Sequence, residues 1–245
     1  MKALDKIMGN LNEFHGIWRV LPSVALTEII AQSGFDFQIL DCEHGAYDFT
    51  TLTNDIIACE LNGCSPFIRV SGINKVEVQR CLDIGAHGIV FPSLATVEDF
   101  KTASELMSYA PKGIRGFNPF VRSNKFGIND GQNGFRPLCV VILETLSAVD
   151  QLEAILSIEG IDLFYIGAYD LSAQLNCLGV MDSPKLIEVI DKIIKECTKC
   201  NKAVSLMIHS KSQHEEALLK GVKGFVHAVD SIKIKTAFTD YLNKF

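Results

Sequence analysis

The stretch Phe37-Gln38-Ile39-Leu40-Asp41-Cys42-Glu43-His44-Gly45 opens as a buried strand and closes on two carboxylates and an imidazole. A strand inside a core has no reason to end in titratable groups unless they face water or a ligand. In α/β proteins the C-terminal ends of parallel strands are where ligands and chemistry sit. The same unit, an apolar β-type run and then a segment of helical length, recurs along the chain. Further strand candidates are His15–Val20, Pro66–Val70, Gly88–Pro92, Leu138–Leu143, Leu163–Gly167, Val204–Ile208 and Gly224–Val229. Helical period and length occur at Ser23–Ser33, Thr50–Leu61, Lys75–Ile84, Thr96–Tyr109, Ser147–Leu156, Pro184–Cys200, Ser212–Lys220 and Ile232–Leu242.

Runs this continuously apolar predict a parallel sheet covered on both faces. With the Phe37 run they make eight βα units in 245 residues, which predicts a closed (β/α)₈ barrel rather than an open doubly wound sheet. No linker rich in Pro, Ser or Gly divides the chain, so residues 1–245 read as a single domain. One connection is unusual. Ser93–Pro137 contains a helix and then runs through Pro111-Lys-Gly-Ile-Arg-Gly116 and Gly127–Gly134. Loops of that length are usually functional or mobile.

The net charge of −6 argues against a general binder of nucleic acid or anionic membrane, either of which needs basic surface. No apolar run approaches the roughly 20 residues that span a bilayer. The start, Met1 to Lys6 followed by Gly9-Asn10, lacks the apolar core of a secretory signal. The eight cysteines are scattered through strand and helix patterns and read as reduced thiols of a cytoplasmic protein. Cys197-Thr-Lys-Cys200 is a CxxC at a helix end with no second pair, so four zinc ligands cannot be assembled from it.

Reactive groups cluster at strand ends: Arg19; Asp41, Glu43 and His44; Arg69; Glu144; and Asp170 after Gly167-Ala168-Tyr169. A barrel brings such ends to one rim. Glu144 and Asp170 would make a hard oxygen site suited to Mg²⁺ or Mn²⁺ rather than a closed zinc site. Histidine is the natural general base near neutral pH, and arginine a fixed cationic fork for a carboxylate or an enolate oxygen. Each also has a structural reading: Asp41, Glu43 or Asp170 as a helix cap, His44 as a satisfied histidine, Arg69 as an internal ion-pair partner. No lysine falls within a strand candidate, which disfavours a Schiff-base mechanism.

From about Gly16 to about Asp230 the chain resembles the HpcH/HpaI family of metal-dependent, class II pyruvate aldolases. The landmarks are Gly16-Ile-Trp18, Gly34-Phe-Asp-Phe with Asp41-Cys-Glu-His44, Phe67-Ile-Arg69-Val, Leu82-Asp83-Ile-Gly85-Ala, Pro111-Lys-Gly-Ile-Arg115-Gly and Glu144-Thr. Ile158-Glu-Gly-Ile-Asp162 with Ile166-Gly167-Ala-Tyr-Asp170-Leu-Ser172 completes the set. The resemblance implies reversible cleavage of a 4-hydroxy-2-oxo acid to pyruvate and an aldehyde through an enolate. It implies Glu144 and Asp170 as ligands of a divalent metal (Mg²⁺ or Mn²⁺, with Co²⁺ a third candidate) that the 2-oxo acid chelates. It implies His44 as base with Asp83 as its dyad partner, and Arg69 at the enolate oxygen. Amides around Gly167, Ala168 and Tyr169 would take the pyruvyl carboxylate, with Asp41 and Glu43 supporting. It further implies a homo-oligomer, a hexamer with C-terminal elements exchanged between subunits. Ile232–Leu242 is amphipathic enough for that exchange, or for the last helix of a monomeric barrel.

Three positions depart from the family pattern. Ile142 stands where many relatives carry Gln, Tyr169 puts bulk at the pyruvyl end, and Arg19 replaces a small or apolar residue. Arg19 is a candidate grip for an anionic acceptor, or an internal ion-pair partner. Two rival functions remain at this point. One is a lyase of the citrate-lyase β-subunit or malyl-CoA type; the other is a non-catalytic barrel that binds a small acid.

Overall fold

The computed structural model describes residues 6, 7, 9, 13–128 and 136–245. Most of the chain start and of the glycine-rich Gly127–Gly134 segment lies outside them.

Eight parallel strands pair in sequence order and close on themselves: β1 Phe14–Arg19, β2 Phe37–Asp41, β3 Ser65–Arg69, β4 Gly88–Phe91, β5 Leu138–Leu143, β6 Leu163–Ile166, β7 Ala203–Met207 and β8 Gly224–Val229. The predicted (β/α)₈ barrel is the observed fold. The helices are α1 Val24–Gln32, α2 Phe49–Leu61, α3 Lys75–Asp83, α4 Val97–Leu106, α5 Leu146–Asp150, α6 Leu152–Leu156, α7 Ala168–Gln174, α8 Pro184–Lys199, α9 Lys211–Leu219 and α10 Asp230–Leu242.

Every strand is buried on both faces, and alternate residues divide the core into two layers. Phe14, Trp18, Phe37, Ile39, Phe67, Val90, Leu138, Val140, Ile142, Leu163, Tyr165 and Val226 fill the barrel interior. Leu40, Ile68, Ile89, Val141, Phe164, Val204 and Phe225 point outward and pack under the helices. Gly16 lies on the interior face, where an added Cβ would sit 2.3 Å from the Phe37 ring, so the aromatic takes the space of a side chain at that position.

Helix starts follow their caps. Ser23, Asn74, Thr96 and Ser210 each accept a first-turn amide, and Asp48 with Thr51 forms a capping box on α2. Two helical expectations need revision. The predicted Ser147–Leu156 helix is broken at Gln151, whose side chain donates to the carbonyls of Ala95 and Ser147. The helix for which Asp170 is a candidate cap starts earlier, at the strand end itself, so that Asp170 lies in the first turn of α7.

The long connection after β4 is anchored. Ile114 and Arg115 donate back to carbonyls of Glu105 and Ser108, and Arg122 pairs with Glu60 at the end of α2 and donates to the Ile84 carbonyl. Arg122 thereby fastens the loop to the ends of α2 and α3. The eight cysteines are all free thiols. Among the described residues no helix is long and apolar enough to cross a membrane.

Candidate active site

Residue parity decides what enters the site. Asp41 shares the inward face of β2 with Phe37 and Ile39, and Arg69 shares that of β3 with Phe67. Glu144 and Gly167 continue the inward faces of β5 and β6 just past the strand ends. All four meet at the C-terminal rim. There Trp18, Asp41, His44, Arg69, Ile142, Glu144, Gly167, Ala168, Tyr169 and Asp170 line one cavity of about 680 Å³.

Arg69 is the best-held group. Its Nε donates to Asp41 Oδ1 at 3.0 Å and its Nη2 to Asp41 Oδ2 at 2.6 Å. Its Nη1 lies 2.6 Å from Glu43 Oε2, and the guanidinium stacks 4.8 Å from the Trp18 ring centre. Asp41 is fixed in turn by Trp18 Nε1 at 3.0 Å and by the amides of Glu43 and His44. Burial alone would raise the Asp41 pKa, but Arg69 and Trp18 hold it below the usual carboxylate range. Asp41 and Glu43 thus support the arginine, and Asp41 folds the turn that carries His44. The His44 ring is largely exposed at the cavity mouth, with Nε2 3.9 Å from Glu43 Oε2.

Glu144 is buried and accepts the Ser93 amide. Burial first, then the negative charges of Asp170 and Glu43, push its pKa up to about 7 against the opposing pull of the Ser93 amide and Arg69. Ser93 holds a left-handed backbone, φ 58°, to present that amide. Sequence reading missed Ser93, since nothing local marks it. It quoted Trp18 as a landmark without a role.

Gly167 has to be glycine, because an added Cβ would lie 2.5 Å from Glu144 Cβ and 2.9 Å from Ile142 Cγ2. Asp41 and Glu43 bind the Arg69 guanidinium, while Glu144 and Asp170 line the cavity beside it. The two that Arg69 does not bind, Glu144 and Asp170, form a hard-oxygen pair with excess negative charge, and that donor set fits a divalent cation.

Two candidate residues lie away from the cavity. Arg19 is fully buried and lies outside the cavity. It faces outward from β1 because its neighbour Trp18 faces in. Its Nε donates to Asp230 at 2.9 Å, and its Nη1 to Gln38 at 2.6 Å and Thr27 at 2.7 Å. Arg19 thus ties the last helix to the barrel, the internal ion-pair role of its two readings. Arg19→Met strands Asp230 and should destabilise the fold by about 3–5 kcal/mol while the kcat of folded enzyme holds. Denaturant melts beside active-site-normalised rates test this.

Asp83 does not meet His44 within this chain. Barrel helices run antiparallel to the strands, so the last residue of α3 lies at the opposite end from the rim. There Asp83 accepts from Arg115 at 3.0 Å.

A (β/α)₈ barrel whose rim joins an acidic oxygen pair to a clamped guanidinium is an enzyme scaffold for reactions that develop negative charge on a bound oxygen. The chain belongs to the HpcH/HpaI aldolase/citrate lyase family, whose sequence profile matches residues 15–234. It is 32% identical over 195 residues to the 5-keto-4-deoxy-D-glucarate aldolase of Salmonella paratyphi C, covering 78% of this chain and 76% of that one. An HpcH/HpaI aldolase/citrate lyase family protein from Burkholderia cenocepacia superposes with a TM-score of 0.93 at 24% identity, over 100% of this chain and 99% of that one. The citrate synthase SbnG superposes with a TM-score of 0.88 at 25% identity, over 98% and 96%. The chain is accordingly a carbon–carbon lyase of the class II aldolase type, and this family membership supports a divalent metal in its chemistry.

Proposed function

We propose that the enzyme cleaves a 4-hydroxy-2-oxo acid of the keto-deoxy sugar-acid kind to pyruvate and an aldehyde, and runs the reverse addition. The observation that carries this reading is the placement of Glu144 and Asp170 around the same cavity as the Arg69 fork. Glu144 and Asp170 would hold Mg²⁺, Mn²⁺ or Co²⁺, which when bound supplies Lewis-acid polarisation of the 2-oxo group.

Every other step belongs to the chain's own side chains and backbone amides. Arg69 uses two donors on Asp41 and one nitrogen on Glu43, and turns its remaining Nη hydrogens to the oxygen on which charge develops. His44, at the cavity mouth, takes the proton of the 4-hydroxyl as the C3–C4 bond breaks, and returns one to the methylene carbon. Amides at Gly167, Ala168 and Tyr169 receive the carboxylate of the pyruvyl half. The bulk of Tyr169 and the apolar Ile142 narrow that end to a three-carbon unit.

A coenzyme A thioester is a poorer fit. Among the lining residues the cations Arg69 and Lys220 are already engaged, Lys220 by Asp191 and Glu216 at 2.7 Å each, leaving no free basic grip for a diphosphate. A homo-oligomer, hexameric as in the aldolases it resembles, is supported by the exposed Phe238, Tyr241 and Leu242 of α10. Free thiols throughout suit a cytoplasmic enzyme.

His44→Ala should lower retro-aldol kcat about 10²-fold, near the lower end for a general base, because water reaches its exposed position. Proton exchange at the pyruvate methyl in D₂O, followed by NMR, should slow in parallel. Full exchange in the variant removes His44 from the role. Absence of exchange in the wild type under each of the three metals would favour a non-catalytic acid binder.

A further inference from the structure

On the outer face of the seam where β1 meets β8, three imidazoles gather with a carboxylate. None of them lines the catalytic cavity. Ligand atoms of Glu13, His15 and His214 all lie within 4.8 Å of one another. His214 Nε2 is 2.6 Å from Glu13 Oε2, and His15 Nε2 is 3.7 Å from the same oxygen. Tetrahedral coordination with bonds of ~2.1 Å puts neighbouring ligand atoms ~3.4 Å apart. The two observed distances bracket that spacing, and the third pair lies within 4.8 Å.

A second observation bears on His15 independently. Its Nδ1 lies 2.8 Å from Nε2 of His227, on the adjacent strand. When that Nδ1 carries the proton and donates, the Nε2 facing Glu13 and His214 is left with a free lone pair. Metal-bound histidines are oriented in this way, by a hydrogen bond from the nitrogen away from the metal. The rings are also fixed by packing. Phe225 stacks on His15 with centroids 5.8 Å apart and meets His214 edge-on at 4.4 Å.

We propose that Glu13, His15 and His214 form a transition-metal site, selective for Zn²⁺, with water in the fourth position and His227 orienting His15. Two imidazoles and one carboxylate suit zinc better than the hard cations expected at the rim. The site joins the segment entering β1 to α9, 201 residues apart in sequence between Glu13 and His214. A bound ion would therefore clasp the barrel's closing seam and leave the chemistry alone.

The test uses full-length protein stripped with EDTA and titrated with Zn²⁺ by calorimetry and by thermal melting. The rim is removed from the count by a Glu144→Gln/Asp170→Asn background. In that background one equivalent of Zn²⁺ should bind at micromolar or tighter affinity and raise Tm. His214→Ala and Glu13→Gln should each abolish both effects, and His227→Leu should weaken binding roughly 10–100-fold. In the otherwise native enzyme His214→Ala should leave aldolase kcat with Mg²⁺ unchanged. Binding that is equal in wild type, His214→Ala and Glu13→Gln overturns the site, and so does the absence of any Zn²⁺-dependent rise in Tm.

Discussion

Replacing Arg69 by alanine should lower retro-aldol kcat roughly 10²–10³-fold, the scale of losing a preorganised donor to a developing oxyanion. KM should change far less, because the donor matters most once charge has moved onto the oxygen. The fold should weaken as well. Asp41 is almost fully buried and loses both guanidinium bonds, keeping only Trp18 and two turn amides. Glu43 loses its ion pair. Arg69→Lys separates the two effects. It keeps the charge, but an ammonium cannot serve both Asp41 oxygens and still face the cavity. Its kcat should fall between those of wild type and alanine, with most of the stability retained. Steady-state kinetics beside chemical melts decide this, and an Arg69→Ala enzyme within about threefold of wild-type kcat would remove Arg69 from the reaction.

Glu144→Gln should lower activity by about 10³-fold or more, the rate equivalent of several kcal/mol of lost Lewis-acid help, and abolish the response to added divalent metal. The same change should stabilise the metal-stripped protein at alkaline pH. Burial and the nearby carboxylates push the Glu144 carboxyl up to about 7 in the fold, from an ordinary value of 4.5. A folded pKa raised in this way means its favourable contribution is complete below about 4.5 and is lost as pH rises through about 7. Above that range the wild type holds an ionised carboxylate among Asp170 and Glu43, and the glutamine does not. Stripped Glu144→Gln should therefore exceed stripped wild type by roughly 1–3 kcal/mol at pH 8 and show little advantage at pH 4. Urea melts at the two pH values measure it. A difference independent of pH would mean that burial and the neighbouring carboxylates do not raise the Glu144 pKa.

The barrel was legible because parallel strands buried on both faces are continuously apolar, and eight such runs alternate with helical segments. Strand ends came within a residue of the observed ones, since a run stops where a polar group or glycine begins. The rim chemistry was legible for the same reason: Asp41, Arg69 and Glu144 stand where the apolar runs end. Other features left little local trace. Ser93 donates through its backbone, and an amide has no sequence signature. The short helix α7 is only seven residues long, too few to show an apolar period.

By itself the sequence determined the eightfold alternation, the family and the set of titratable groups at the strand ends. Tertiary structure decided which of those groups share a cavity. A strand buried on both faces carries no polar alternation, so the sequence cannot say which parity points inward. With Trp18 turned into the barrel, Arg19 had to turn out, toward Asp230 and away from the cavity. Helix direction was equally invisible as a constraint on contacts. It carried Asp83 to the end of the barrel away from His44 and into the reach of Arg115. Closure of the barrel brought Glu13 and His15 beside His214, a meeting that depends on the β1–β8 seam and on no spacing along the chain.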